Sequence, residues 1–401
     1  MSKDVVQRSK NRFYFRDETL DFFVGWLLGY AQAGGASPGA IFHCLNQIHR
    51  PTPKAWVVGF TRLLDAEEQA AGDTGMDPKI RAMHLRSASE AARAGLNLSV
   101  PGSQQNLDLV ERMESCFQQA LALEGLPVHA WEIPFGNHTL PAYVSDDVAE
   151  ASTLVVVVGG GDTYREDLWY FGGQAALADG YAALMVDLPG QGSAPDRGMC
   201  FSEDTLAGLD VAIRAVRGLG FTGKTVLMGW SGGGFFTAKY VELYGGIDAW
   251  VASTPIRDMV RIFEVAMPSM LRDPNAPLTK VALAIGGAVS PVLQMTLAKY
   301  THQFGPGGIG TALEKLRDFG PLDVGKVQCP LLGLVGASED AELRRQAEEV
   351  YEGVRRRYPA SKLVEFPAES GADAHSQVTN LPLALAHVSY WLRNDVFRDE
   401  T

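Results

Sequence analysis

Gly229-Trp230-Ser231-Gly232-Gly233 sets a serine between glycines in the pattern Gly-x-Ser-x-Gly. It follows a short apolar run, Lys224-Thr225-Val226-Leu227-Met228, and precedes an amphipathic stretch beginning at Phe235. The whole reads as a strand, a sharp turn and the start of a helix. A serine on such a turn takes strained backbone angles. Side chains two residues to either side would collide with the strand and the helix, so glycines are wanted there. The helix that follows aims backbone N–H groups at the turn, which favours developing negative charge. The chemistry this suits is nucleophilic attack by Ser231. In a chain with 43 glycines the pentapeptide alone is a weak signal, so its partners decide.

A serine nucleophile needs a base within hydrogen-bond reach, and the base needs an acid to orient it. Of the eight histidines, only His375 lies in a loop between the last strand-like run, 362–366, and the last helix-like run. The acid is expected after the penultimate strand, where Gly336-Ala337-Ser338-Glu339-Asp340 offers two adjacent carboxylates. Loop position favours Glu339 and residue type favours Asp340, and the choice between them stays open here. Two donors are needed to hold an oxyanion. One is the backbone N–H of Gly232. The other is expected in the loop Gly159-Gly160-Gly161-Asp162, at Gly161. That loop is neither a dinucleotide fingerprint, since position 164 is Tyr164, nor a phosphate-cradling loop closed by Gly-Lys-Ser/Thr.

These residues must be positioned by the elements around them. From about residue 126 strand-like and helix-like runs alternate: 128–133, 140–144, the continuous apolar run 153–158, 182–186, 224–228, 249–252, 330–335 and 362–366 as strands, with helices over 204–219, 231–244, 341–358 and 383–392. Alternation of this kind predicts an α/β class with a doubly wound, mostly parallel sheet. Between 255 and 321 the alternation stops. That stretch is helical in composition and too long for an ordinary connection, so it is expected as an insertion over the ligand-binding edge of the sheet. Residues 1–125 carry helical periodicity over 20–30, 38–48, 55–71, 78–94 and 107–123, with no convincing strand. Thr74 or Asp77 is a candidate start for the fourth of these. Phe22, Phe23, Trp26 and Tyr30 are expected mainly to pack between helices, with pocket lining as the sharper alternative. The resulting division is a helical domain, 1–125, and a catalytic domain, 126–401.

The 401 residues can bury a sizeable core, and a net charge of −12 argues against nucleic-acid or anionic-membrane partners. Cys44, Cys116, Cys200 and Cys329 are far apart and form no Cys-x-x-Cys pair, so they are read as free thiols in a reducing compartment. The N-terminus lacks an apolar signal core, and no run of about 18 apolar residues occurs. The expected location is cytoplasmic.

Four stretches carry a resemblance: Gly160-Gly161-Asp162-Thr163-Tyr164-Arg165-Glu166-Asp167, the turn Asp187-Leu188-Pro189-Gly190-Gln191-Gly192, the pentapeptide around Ser231, and the loop around His375. The chain resembles an α/β-hydrolase, in the group with an N-terminal helical domain. That group includes fungal pigment-pathway polyketide-shortening hydrolases, 2,6-dihydroxypseudooxynicotine hydrolase and esterase-like proteins grouped with fermentation-respiration switch protein. The order serine, acid, histidine is that family's order. The resemblance implies hydrolysis of a C–C bond next to a ketone, or of an ester, by acyl transfer to Ser231. The implied substrate is small to medium in size and polyketide-like, and no metal or organic cofactor is implied. A homodimer joined through the N-terminal helices is also what it suggests. Glu166, Asp167, Arg257 and Asp258 are further candidates for binding a polar substrate, set against roles in structural ion pairs. Two other readings stand beside this one. An oligopeptidase-like hydrolase would want a peptide-filtering domain, and no blade repeat precedes residue 126. A non-hydrolytic tailoring enzyme such as a cyclase, or a binding scaffold, could use the same fold.

Overall fold

The computed structural model describes residues 7–266, 286 and 290–398. Eight strands form one sheet: β1 (Val128–Phe135), β2 (His138–Ser145), β3 (Thr153–Val158), β4 (Ala182–Val186), β5 (Lys224–Trp230), β6 (Ala249–Ser253), β7 (Leu331–Gly336) and β8 (Lys362–Phe366). Their spatial order is β1-β2-β4-β3-β5-β6-β7-β8. The β1–β2 and β2–β4 pairings are antiparallel, and all the others are parallel. The sheet is thus mostly parallel, as the alternation predicts.

The apolar run of β3 explains the layering. Every residue from Thr153 to Val158 is buried, so both faces of the strand must be covered. Side chains alternate across a strand. Val155 and Val157 join one core, and Leu154, Val156 and Val158 join the other. The first core is shared with the helices Glu18–Ala31, Pro38–Asn46, Pro53–Ala71, Pro78–Leu96 and Gln104–Glu124. Aromatic contacts bind these helices to the sheet layer: Tyr30 stacks on Tyr170 at 4.3 Å, Trp26 meets Phe171 at 5.9 Å, and Phe171 meets Trp230 of β5 at 5.0 Å. Of the two proposed starts for the fourth helix, Asp77 is the cap, accepting a hydrogen bond from the Lys79 amide. A buried ion pair adds to the attachment. Arg93 Nε lies 2.6 Å from Asp167 Oδ2, and Tyr30 Oη donates to the same carboxylate at 2.8 Å.

In the 255–321 stretch the described helices are Met259–Ala266, Pro291–Phe304 and Ile309–Phe319. The rest of the expected insertion, 267–285 and 287–289, lies outside the described residues. Among the described residues no helix is long and apolar enough to cross a membrane.

Candidate active site

Ser231 sits where β5 gives way to the helix Gly232–Leu243, at φ 55° and ψ −124°. That is left-handed backbone for a residue with a Cβ. It is held there by its amide, which donates to Ser253 O of β6 at 2.6 Å. The flanking glycines are required by space. A Cβ on Gly229 would lie 2.3 Å from Thr237 Oγ1 and 2.4 Å from Gly233 O, and one on Gly233 would lie 2.5 Å from the carbonyl oxygens of Val158 and Gly159. Backbone cannot move aside as a flexible side chain can. Gly233→Ala is therefore expected to cost about 3 kcal/mol or more of stability, read as a lowered midpoint in urea unfolding. An unchanged midpoint would contradict the crowding.

His375 lies beyond β8. Its Nε2 is 2.9 Å from Ser231 Oγ, and its Nδ1 is 2.5 Å from Glu339 Oε1. Glu339 is buried; it accepts hydrogen bonds from Thr254 Oγ1 at 2.7–2.8 Å and from the Gly336 amide at 2.9 Å. Asp340 turns the other way and caps the helix Ala341–Arg355, accepting from the Glu342 amide at 2.8 Å. Of the two carboxylates left open by the sequence, Glu339 is the one that meets His375. Such a chain can lower the cost of deprotonating the serine, because the carboxylate orients the imidazole and stabilises its charged form.

An extended N-terminal segment crosses both loops. Gln7 O accepts from the Asp340 amide at 3.1 Å, and Gln7 Nε2 donates to Ser338 O at 3.0 Å. Arg8 O accepts from the His375 amide at 2.7 Å, and Asn11 Nδ2 donates to Asp373 Oδ1 at 3.0 Å. Sequence periodicity carries no signal for this, since the segment is irregular and these partners in the two loops lie more than 300 residues away.

The Gly-rich loop after β3 rests on the elbow. A Cβ on Gly160 would lie 2.6 Å from Ser231 Cβ and 2.9 Å from Gly232 N. A Cβ on Gly232 would lie 3.7 Å from Gly161 N, and both residues line the cavity in front of Ser231. Two carboxamides brace the loop: Gln191 donates to Gly159 O, and Gln303 to Gly161 O. The Asp187–Gly192 turn thus supports the loop from one side and the helix Pro291–Phe304 from the other.

The cavity holds about 220 Å³. Its walls are mostly apolar, with Phe201, Phe236, Ile262, Phe263 and Phe304 among them. Most of this wall comes from the 255–321 stretch. Of the four aromatic residues of the first helix, Phe23 lines the cavity, while Phe22, Trp26 and Tyr30 belong to the core. None of Glu166, Asp167, Arg257 and Asp258 lines it. Glu166 accepts from Tyr143 Oη at 2.8 Å, Asp167 pairs with Arg93, and Arg257 pairs with Glu349. The cavity is instead lined by a cluster of charged residues, of which the sequence pointed only to Asp162, in the Gly-rich loop.

Those residues are Arg8, Asp162 and Lys299. Lys299 Nζ lies 3.2 Å from Asp162 Oδ1, and Arg8 Nη1 lies 3.3 Å from Asp162 Oδ2. The guanidinium of Arg93 holds the Asp162 carbonyl oxygen. Burial acts to raise the Asp162 carboxyl, but Lys299, Arg8 and Arg93 together outweigh it and bring it down to about 2. For Lys299 burial is the largest influence and pulls the ammonium below its ordinary range. Asp162 opposes this, while Arg93 and Arg8 add to it.

The pattern of the alpha/beta hydrolase family matches residues 154–379, more than half of the chain, and the chain belongs to that family. Among curated relatives it is similar to Hydrolase ORFZ of Pyricularia oryzae, 30% identical over 193 residues, and to Hydrolyase ccsE of Aspergillus clavatus, 27% identical over 192 residues. The matched region is 45% of this chain and 45% of the first relative, and 43% and 44% for the second, so the chain spans less than half the length of these relatives. Among solved structures, 2,6-dihydroxy-pseudo-oxynicotine hydrolase superposes with a TM-score of 0.61 at 19% identity, covering 92% of this chain and 96% of the other. Wild-type AbyA5 superposes with a TM-score of 0.59 at 15% identity, covering 85% and 86%. Both likenesses are of fold. The family and its hydrolase-named relatives support a hydrolase in the general sense.

Proposed function

We propose that the chain is a serine hydrolase that cleaves a C–C bond next to a ketone, or an ester, in a small-to-medium substrate with substantial apolar surface. The observation that carries this reading is the hydrogen-bonded chain Ser231–His375–Glu339, opening onto an apolar cavity of about 220 Å³. In this reading Ser231 Oγ attacks the carbonyl carbon and His375 Nε2 takes its proton. The negative charge that forms on the carbonyl oxygen meets the amides of Gly232 and Gly161. His375 then gives the proton to the departing carbon or oxygen. Water, activated by the same imidazole, releases the acyl group from Ser231. Glu339 holds the imidazole in the tautomer that leaves Nε2 free to accept. No step calls for a metal or an organic cofactor.

The helical regions 1–125 and 255–321 act in this proposal as the parts that choose the substrate. They supply Phe23 and most of the apolar wall, while the strand ends supply the reacting groups.

The test is active-site labelling together with turnover. A fluorophosphonate should label the intact chain once, at Ser231, and leave Ser231→Ala unlabelled. The same pair should be assayed on matched panels of aryl esters and 1,3-diketones. Turnover by Ser231→Ala equal to that of the parent chain would sink the mechanism.

A further inference from the structure

The cavity has a charged end that hydrolysis of a simple ester leaves without a task. Lys299 reaches it from the helix Pro291–Phe304, which also lends Gln303 to the Gly161 carbonyl one turn later. The ammonium therefore stands beside the loop that packs against Ser231. It carries three N–H donors. Among the described residues its polar partner is Asp162, at 3.2 Å, and the face of Phe23 lies 5.7 Å away. Asp162 is itself shared with Arg8. The Lys299 side chain is 19% exposed, and it lines both the cavity in front of Ser231 and a smaller pocket beside the Gly-rich loop. A tether between helix and loop needs one hydrogen bond, which a neutral amide would supply at a lower desolvation cost. A full positive charge at this end of an otherwise apolar cavity suits an oxygen that becomes negative during the reaction.

We propose that Lys299 is a catalytic residue that receives the second oxygen of a 1,3-dicarbonyl substrate. The inference rests on the serine-hydrolase reading and narrows its substrate class. Ser231 Oγ bonds to the first carbonyl carbon, and His375 takes the serine proton. When the tetrahedral intermediate collapses, the bond between that carbon and the central carbon breaks. Its electron pair moves into the enolate of the second carbonyl, whose oxygen lies on the Lys299 ammonium. The proton held by His375 goes to the central carbon and a ketone leaves. Water then frees a carboxylic acid from Ser231. One diketone and one water give one ketone and one acid, with no oxidant or reductant.

This assignment gives Lys299 a task specific to C–C cleavage. The leaving group of an aryl ester is a phenolate that His375 can protonate directly. A carbon leaving group has to pass through an enolate, and the barrier depends on how well that charge is received.

The test uses the full chain in two forms, with 1-phenylbutane-1,3-dione as the probe. In Ser231→Ala, where turnover is blocked, the probe can still lose its central proton to solvent and place that charge on the same second oxygen, so the bound probe should show the ultraviolet absorbance of its enolate. Adding Lys299→Met should remove that absorbance and weaken binding at least about 10-fold, and Lys299→Arg should retain it. With Ser231 intact, Lys299→Met should lower kcat on the diketone, relative to a matched aryl ester, by about 10²–10³-fold, the cost of losing one charge-receiving donor. Fluorophosphonate labelling of this variant monitors its fold and nucleophile. Enolate absorbance that is absent with Lys299 present, or that persists in Lys299→Met, overturns the assignment. So does an equal loss on diketone and ester, which would make Lys299 a tether. A chain that ionises the bound diketone through Lys299, yet with Ser231 intact cleaves neither diketone nor ester, keeps the Lys299 site and sinks the hydrolase reading instead.

Discussion

Ser231→Ala is expected to lower turnover by about 10⁴–10⁶-fold on any substrate the chain cleaves, the range over which nucleophile removal acts in serine hydrolases. The size follows from the geometry. Ser231 Oγ is the atom that His375 Nε2 addresses at 2.9 Å, and the Gly-rich loop after β3 packs against it. Removing it leaves the cavity, the amides and the imidazole, so substrate binding should persist while covalent chemistry stops. The fold should persist as well. Alanine at this position keeps the Cβ, and the elbow is held by backbone bonds such as the Ser231 amide to Ser253 O. Steady-state kinetics with a binding measurement on the same protein checks both halves. A variant that loses binding and turnover together would point to a packing role for Ser231 rather than a chemical one.

Glu339→Gln carries the second large expectation, a loss of about 10³–10⁴-fold in kcat at neutral pH. The reason is specific to this pocket. Glu339 Oε2 accepts from the Gly336 amide, and Thr254 Oγ1 also points at the carboxylate. A glutamine must keep its carbonyl oxygen toward the Gly336 amide, because its NH₂ cannot face another N–H. The NH₂ then faces His375 Nδ1. That nitrogen becomes the acceptor, the proton moves to Nε2, and Nε2 can no longer take the proton of Ser231. Asp340→Ala is the contrasting variant. It removes the side chain that caps the helix Ala341–Arg355, so it should cost about 1 kcal/mol of stability with kcat nearly unchanged. Paired kcat and thermal-melting measurements separate the two carboxylates. Equal kcat losses in both variants would remove the distinction drawn between them.

That distinction shows where sequence reading stopped. Glu339 and Asp340 are adjacent acids in one loop, and composition cannot say which way each side chain leaves the backbone. The direction depends on Asp340 entering a helix as its cap, while Glu339 turns back under Thr254 and Gly336 from other strand ends. The Gly-rich loop was legible as a donor candidate. Gly160 was not legible as the residue pressed against Ser231, because that follows from the packing of β3 beside β5. Glu166, Asp167, Arg257 and Asp258 are, on the sequence, charged residues that could face the cap and bind a polar substrate, set against roles in structural ion pairs. Each has its own partner away from the cavity, or lies outside the cavity wall. Arg8 and Lys299 carried no such signal, although they meet at Asp162.

The local pattern of the chain determined the mostly parallel sheet, the serine elbow and the order of serine, acid and histidine. These are written in short-range terms: apolar runs long enough for buried strands, glycines where a Cβ would strike backbone, and loop residues at fixed distances from strand ends. Tertiary structure decided the contents of the cavity. Its charged end joins residue 8 from the irregular N-terminal segment, residue 162 from the loop after β3 and residue 299 from an inserted helix. Three side chains separated by more than 130 residues at each step become neighbours only when both helical regions close against the same edge of the sheet, and no spacing along the chain records that encounter.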